Sequence, residues 1–284
     1  MLDENNLQGS TQKNWTLFIL VIVLVLFMSS CSSGGVKTNS ESVASPNITL
    51  KASGSGSTSA VLTAIAPKFE AATPGYRLEV LPGTGTGGGV TGAVEGVLDV
   101  AAMARPPKDS EAVEYVELGQ AGQAIITHPE VGITDLTSAQ ITTIFVEGVT
   151  NWSEVGGPDL PLILYVRDED DSSTKALRSF IVGDAPFAEN VAKVFTSQGD
   201  MLSAVEGTPG SVGIATWPTT LAMGANVTGV TVDSIAPGDS TYPMTSPLGI
   251  GFVTEKQTAV QPLIDWLQSE QGKAALGELD MITE

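Results

Sequence analysis

The sequence is short of histidine, cysteine and basic residues, and each shortage removes a class of function. Its 284 residues hold one histidine, His128, and one cysteine, Cys31. With a single imidazole, no clustered metal ligands and no G-x-S-x-G elbow, both a hydrolytic triad and a zinc site lack parts. No catalytic residue and no metal ligand is assigned, and no cofactor is expected. One cysteine cannot form an internal disulfide. No Gly-Lys-Ser/Thr occurs, which excludes a Walker motif. Lysine and arginine total 13 against 32 acidic residues, a formal net charge of -19. That field repels a nucleic-acid backbone, so nucleic-acid binding is not expected, and any bound anion must be held by local geometry.

Long apolar runs are missing too. Residues 15–28, WTLFILVIVLVLFM, are apolar apart from Thr16, but a membrane-spanning helix needs about 20 residues. The run has the length of a signal-peptide core. Ser29, Ser30 and Cys31 follow it, an arrangement that resembles a bacterial lipobox, in which the cysteine is lipidated and becomes the mature N-terminus. Residues 1–30 therefore read as a lipoprotein signal peptide, and residues 31–46 as lipidated Cys31 and a flexible tether without apolar periodicity. Two or three acyl chains would anchor it stably where one would not. The expectation is an extracytoplasmic protein on a membrane, in the periplasm or at the cell surface.

What is present is 42% hydrophobic residues, 31 glycines and 16 prolines, enough for a folded core with many turns. Strands are expected at 48–52, 77–81, 100–103, 123–127, 162–166, 211–216 and 248–254. Helices are expected at 57–72, 90–98, 138–145, 173–181, 188–195, 201–205 and 260–276, with Pro67 kinking or splitting the first. This alternation argues an α/β fold of mostly parallel sheets flanked by helices. The pattern restarts after residue 127 and suggests two lobes, with a late strand returning the chain to the first. Residues 47–123 and 246–284 form lobe 1 in this reading, and residues 124–245 lobe 2.

Three polar turns stand between a strand and a helix. They are Ser53-Gly54-Ser55-Gly56-Ser57-Thr58, Gly83-Thr84-Gly85-Thr86-Gly87-Gly88-Gly89, and the run from Arg167 through Asp168, Glu169, Asp170, Asp171, Ser172 and Ser173 to Thr174. Each exposes unpaired N–H groups and the positive end of a helix, and three together would form an anion cage at the strand ends where open α/β sheets bind ligands. Each also has a plain reading as an ordinary N-cap. Gly83, Gly85 and Gly88 match G-x-G-x-x-G, but Asp99 comes too soon to serve a ribose. The acidic run 168–171 could hold a hard cation, though charge runs are usually solvated loops. Of four arginines, Arg77, Arg105, Arg167 and Arg178, Arg105 and Arg167 follow strand ends, where a guanidinium fork suits an oxyanion or a structural ion pair.

These features resemble the phosphate-binding proteins of Pst-type ABC transporters. The resemblance rests on GSTSAVLTAIAPKFEAATPG at 56–75, GTGTGGGV at 83–90, ARP at 104–106, NWSEVGGPDLP at 151–161, GSVGIAT at 210–216 and DWLQSEQGKAAL at 265–276. It implies a type II periplasmic binding-protein fold with the ligand in the interlobe cleft. It also implies a monomer that captures inorganic phosphate and delivers it to a membrane permease. Carried over by position, Ser57 and Thr58 match the first phosphate-binding turn and Thr86 with Gly87 the second. Arg167 matches the ligand arginine, and Ser172, Ser173 and Thr174 match the third turn. Arg105 joins the set from its place after a strand end.

Two departures bear on selectivity. The third turn lacks the family's glycine, and Ala104 stands where the family has an aspartate or serine to face the anion. Glu169 or Asp171 could supply the missing acceptor. Another oxyanion, such as sulfate, molybdate or an organic phosphate, is the first alternative ligand. A surface lipoprotein used for adhesion or signalling is an alternative of a different class.

Overall fold

The computed structural model of the chain describes residues 48–283, so the expected signal peptide, Cys31 and the tether lie outside the described residues. Strand β1 (Ile48–Gly54) leads into helix α1 (Gly56–Ala72), strand β2 (Tyr76–Val80), helix α2 (Gly85–Val94) and strand β3 (Val100–Met103). β1 lies between β2 and β3 and is parallel to both. α1 buries Val61, Leu62, Ile65 and Phe69, a stripe at helical spacing, and burying Phe69 alone is worth roughly 2–3 kcal/mol. Pro67 does not split α1. Its ring is on the exposed side, and Thr63, whose carbonyl loses its partner to the proline, is exposed to water. The glycine run expected as a turn before a helix is itself the first part of α2.

Strand β4 (Glu114–Thr127) has 14 residues, far more than the expected strand at 123–127. It is followed by β5 (Asp135–Leu136), α3 (Ser138–Thr142), β6 (Ile163–Arg167), α4 (Ser172–Leu177), β7 (Val191–Phe195) and α5 (Gln198–Glu206). Then come β8 (Ser211–Thr216), α6 (Trp217–Ala222), β9 (Thr228–Val232), β10 (Thr245–Phe252), α7 (Gln257–Gln268) and α8 (Glu270–Gly277). The helix expected at 188–195 is a correction: Val191–Phe195 is an edge strand, parallel to β6. Hydrogen bonding to β6 overrides the helical propensity of its alanine and lysine. The single final helix expected at 260–276 is two, because Ser269 adopts an extended conformation and caps α8 by accepting from Gly272 N. α3 and α4 each pass into one wider turn, Thr143–Glu147 and Arg178–Val182.

The sheet runs β2-β1-β3-β10-β4-β8-β6-β7, with β9 paired to β4 and β5. Five pairings are parallel and four antiparallel, so the fold is a mixed α/β sheet flanked by helices. The antiparallel share comes from β4 and β10, which cross the middle. The two largest apolar clusters lie on either side of that crossing. One packs Leu50, Val61, Phe69, Ile250, Leu263 and Trp266, with the Phe69 and Trp266 rings edge to face at 5.7 Å. The other packs Ile125, Phe145, Trp152, Leu164, Val212 and Ile214. β4 supplies Leu118 and Ala121 to the first and Ile125 to the second.

Candidate anion-binding site

The turn after β1 depends on glycine. Gly54 has φ +147°, and a Cβ there would sit 2.2 Å from Ala102 O. That close approach lets Ser55 N donate to Ala102 O at 2.8 Å and sets the first turn of α1 beside the end of β3. α2 is drawn in as tightly, since a Cβ on Gly89 would lie 2.7 Å from Gly54 Cα and Ser53 O. Thr86 Oγ1 then accepts from Ala104 N at 3.2 Å, tying the second turn to the third strand. On the other side β6 ends at Arg167, and Asp171 caps α4 by accepting from Ser173 N at 2.9 Å.

All three helix starts face one cavity of about 800 Å³, lined among others by Ser57, Thr86, Arg105, Arg167, Asp171 and Ser172. Helix starts carry free N–H groups and partial positive charge, so the cavity is locally attractive to an anion inside a chain of net charge -19.

The arginines are held in place. Arg167 is buried, donating from Nε to Phe195 O at 3.2 Å and from Nη2 to Thr196 O at 3.2 Å and Asp171 Oδ2 at 2.6 Å. Arg105 makes a forked pair with Glu111 at 2.8 and 2.7 Å. That fork, with the Lys108 backbone N–H, holds the Glu111 carboxyl down to about 2.

Of the residues expected from sequence, Ser57, Thr86, Arg105, Arg167 and Ser172 come together on the cavity. Thr58, Gly87, Ser173 and Thr174 are not on its wall. Thr58 is buried and donates to Met103 O at 2.7 Å, and Thr174 is buried and donates to Arg167 O at 3.2 Å. Ser173 donates its hydroxyl to Asp171, and Gly87 is exposed on α2. Thr58, Ser173 and Thr174 are one or two residues past a helix start, where the 3.6-residue turn has rotated the side chain away, and Gly87 has no side chain to offer. Of the two proposed acceptors, Asp171 lines the cavity. Glu169 instead makes a forked pair with Arg178 at 2.8 and 2.7 Å.

Sequence reasoning missed a fourth helix start. Ser197, Gln198 and Gly199 at the head of α5 also line the cavity, with Ser197 Oγ accepting from Asp200 N at 3.4 Å. The S-x-x-D spacing of Ser197 and Asp200 was the available signal. Among the described residues no cluster of three or more acidic, histidine or cysteine side chains is arranged to hold a metal ion, and no helix is long and apolar enough to cross a membrane.

Helix starts gathered at strand ends around one cavity define a ligand-binding α/β fold. The chain belongs to the PBP superfamily, whose domain matches residues 38–271. A phosphate-binding protein PstS from Bacillus subtilis is 24% identical over 271 residues, covering 89% of this chain and 88% of the relative. Among solved structures, one from Clostridium perfringens is described as a phosphate ABC transporter substrate-binding protein with bound phosphate. It superposes with a TM-score of 0.69 at 24% identity, covering 84% of this chain and all of that one. An ABC-type phosphate transport receptor from Vibrio cholerae gives 0.57 at 23% identity, covering 83% and 100%. The resemblance read from the sequence holds for family and fold.

Proposed function

We propose that the chain is an extracytoplasmic, lipid-anchored binding subunit that captures inorganic phosphate and delivers it to an ABC importer. The observation that carries this reading is the convergence of the α1, α2 and α4 starts with Arg167 on one cavity. The names of the related proteins support the ligand and the transporter. In this proposal Ser57, Thr86, Arg105, Arg167 and Ser172 on the cavity wall form the anion's shell, giving backbone N–H groups, hydroxyls and guanidinium, while Thr58, Gly87, Ser173 and Thr174 put no side chain on that wall. Residues 47–123 with 246–284 act as one lobe and 124–245 as the other, closing on the ligand by hinge motion. The division of the apolar residues into two main clusters supports that arrangement. The protein works as a monomer without catalytic chemistry. Lipidation of Cys31 after removal of residues 1–30 would leave the folded part tethered outside the membrane.

Micromolar capture needs about 8 kcal/mol, which several hydrogen bonds to a charged group, at ~1.5–3 kcal/mol each, can supply. The test is calorimetric titration of the full chain in mild detergent with phosphate and then sulfate, after partial unfolding and dialysis to strip carried-over ligand. Tight phosphate binding supports the reading. Binding of sulfate alone reassigns the ligand, and binding of neither overturns phosphate capture.

A further inference from the structure

A buried chain of hydrogen bonds behind the cavity has a fixed direction. Gln123 on β4 is fully buried, and its carboxamide Nε2 lies 3.2 Å from Ala121 O and 2.8 Å from Ser246 Oγ. A backbone carbonyl only accepts, so the amide NH2 must occupy that end and Oε1 must face Thr216. Thr216, buried where β8 meets α6, donates its hydroxyl proton to Gln123 Oε1 at 3.0 Å. A hydroxyl has one proton to give. Ser57 Oγ, 3.3 Å from Thr216 Oγ1, is therefore the donor of that pair. Thr216 is gripped from its other side by Gln198, which accepts from its N–H at 3.2 Å and donates to its carbonyl at 3.0 Å. Thr219 Oγ1 donates to Ser57 O at 3.1 Å and holds the backbone of the first turn.

We propose that Ser57 is a specificity-determining residue that meets the ligand as a hydrogen-bond acceptor, with Gln123 and Thr216 as positioning residues that set this polarity. The inference rests on the oxyanion reading above. Its hydroxyl proton is turned inward to Thr216, so its lone pairs remain for the cavity that Ser57 lines. Ala104 offers no side-chain acceptor, and of the two carboxylates on the wall Asp170 is turned out to solvent and faces Lys175 at 3.5 Å. Asp171 is already occupied by Arg167 and Ser173. An acceptor takes a hydrogen bond from an oxyanion that keeps a proton, as hydrogen phosphate does near neutral pH, and gains nothing from sulfate. One such hydrogen bond is worth about tenfold in relative affinity.

The experiment is calorimetric titration of the full chain in mild detergent at neutral pH with phosphate and with sulfate. It compares wild type, Thr216→Val, Thr216→Ser and Ser57→Ala, with a melting curve for each. Thr216→Val removes the oxygen that takes the Ser57 proton, turns Ser57 into a donor and shifts the phosphate-to-sulfate affinity ratio toward sulfate by about tenfold. Thr216→Ser restores the wild-type ratio. Ser57→Ala weakens phosphate binding more than sulfate binding and so lowers the phosphate-to-sulfate affinity ratio, which decides the matter if Thr216→Val does not fold. An unchanged ratio in Thr216→Val, or equal loss of both anions in Ser57→Ala, overturns this inference and leaves phosphate capture standing. A wild type that binds neither anion overturns the function and this inference with it.

Discussion

Asp171 serves two unlike partners at once: its Oδ2 lies 2.6 Å from Arg167 Nη2, while its Oδ1 takes the Ser173 backbone N–H at 2.9 Å and the Ser173 hydroxyl as well. One carboxylate thus starts α4 and orients the guanidinium that closes β6. Asp171→Ala loses the cap and leaves a buried arginine short of a partner. Chemical denaturation should show a loss of about 2 kcal/mol.

Arg167 itself is braced by two carbonyls and a carboxylate, so little ordering remains to be done when an anion arrives. Arg167→Ala should cost about 2–5 kcal/mol of phosphate binding. Titration of the variant checks this, and an unchanged affinity assigns Arg167 to the scaffold alone.

The Arg105–Glu111 fork sets a pH dependence. Glu111 titrates near 4.5 when unperturbed and at about 2 in the folded chain, so folding binds this carboxylate with its proton off. Its contribution to stability is complete above about pH 4.5 and disappears as pH falls toward 2. Denaturant curves of wild type and Glu111→Gln across this range should differ by a constant amount at neutral pH. The gap should then close between about pH 4.5 and pH 2.

Two glycines of α2 should behave in opposite ways. A Cβ on Gly89 meets Gly54 Cα and Ser53 O at 2.7 Å, whereas one on Gly87 meets nothing within 4 Å. Gly89→Ala should lift α2 from β1, lowering both the melting temperature and phosphate affinity. Gly87→Ala should raise stability by about 0.5–1 kcal/mol through reduced chain entropy. Melting curves for the pair, with phosphate titration of each, separate packing from ligand contact at these neighbouring positions.

The sequence made the strand-turn-helix units visible where apolar spacing was regular, as in Val61, Ile65 and Phe69 of α1. It concealed β4, because Gly119, Gln120, Gly122 and Gln123 interrupt the apolar run and only pairing with β8 and β10 makes the strand continuous. Residues 191–195 hide for a related reason: Lys193 and Val194 are exposed on an edge, so no face announces itself. The first two turns were legible from their glycines and hydroxyls, and the third from its arginine and hydroxyls. Which hydroxyls face the cavity was not, since Ser57 and Thr58 differ by one step of helix rotation. The direction of the Gln123–Thr216–Ser57 chain was hidden too, because its members are 159 residues apart at the extreme.

β10 lies between β3 and β4, antiparallel to each, and α7 and α8 fill the same apolar cluster as α1. The ribosome therefore makes β1, β2 and β3 long before the strand that covers the β3 edge. Until residues 245–276 emerge, that edge stays open and the face of α1 stays wet. The core that β1, β2 and β3 begin is sealed only by elements made about 140 residues later, so that part of a nascent chain remains soft until β10 arrives. Loss of residues 245–277 would strip the early core of its partner strand and of two helices at once, so a truncation that removes them should not be tolerated.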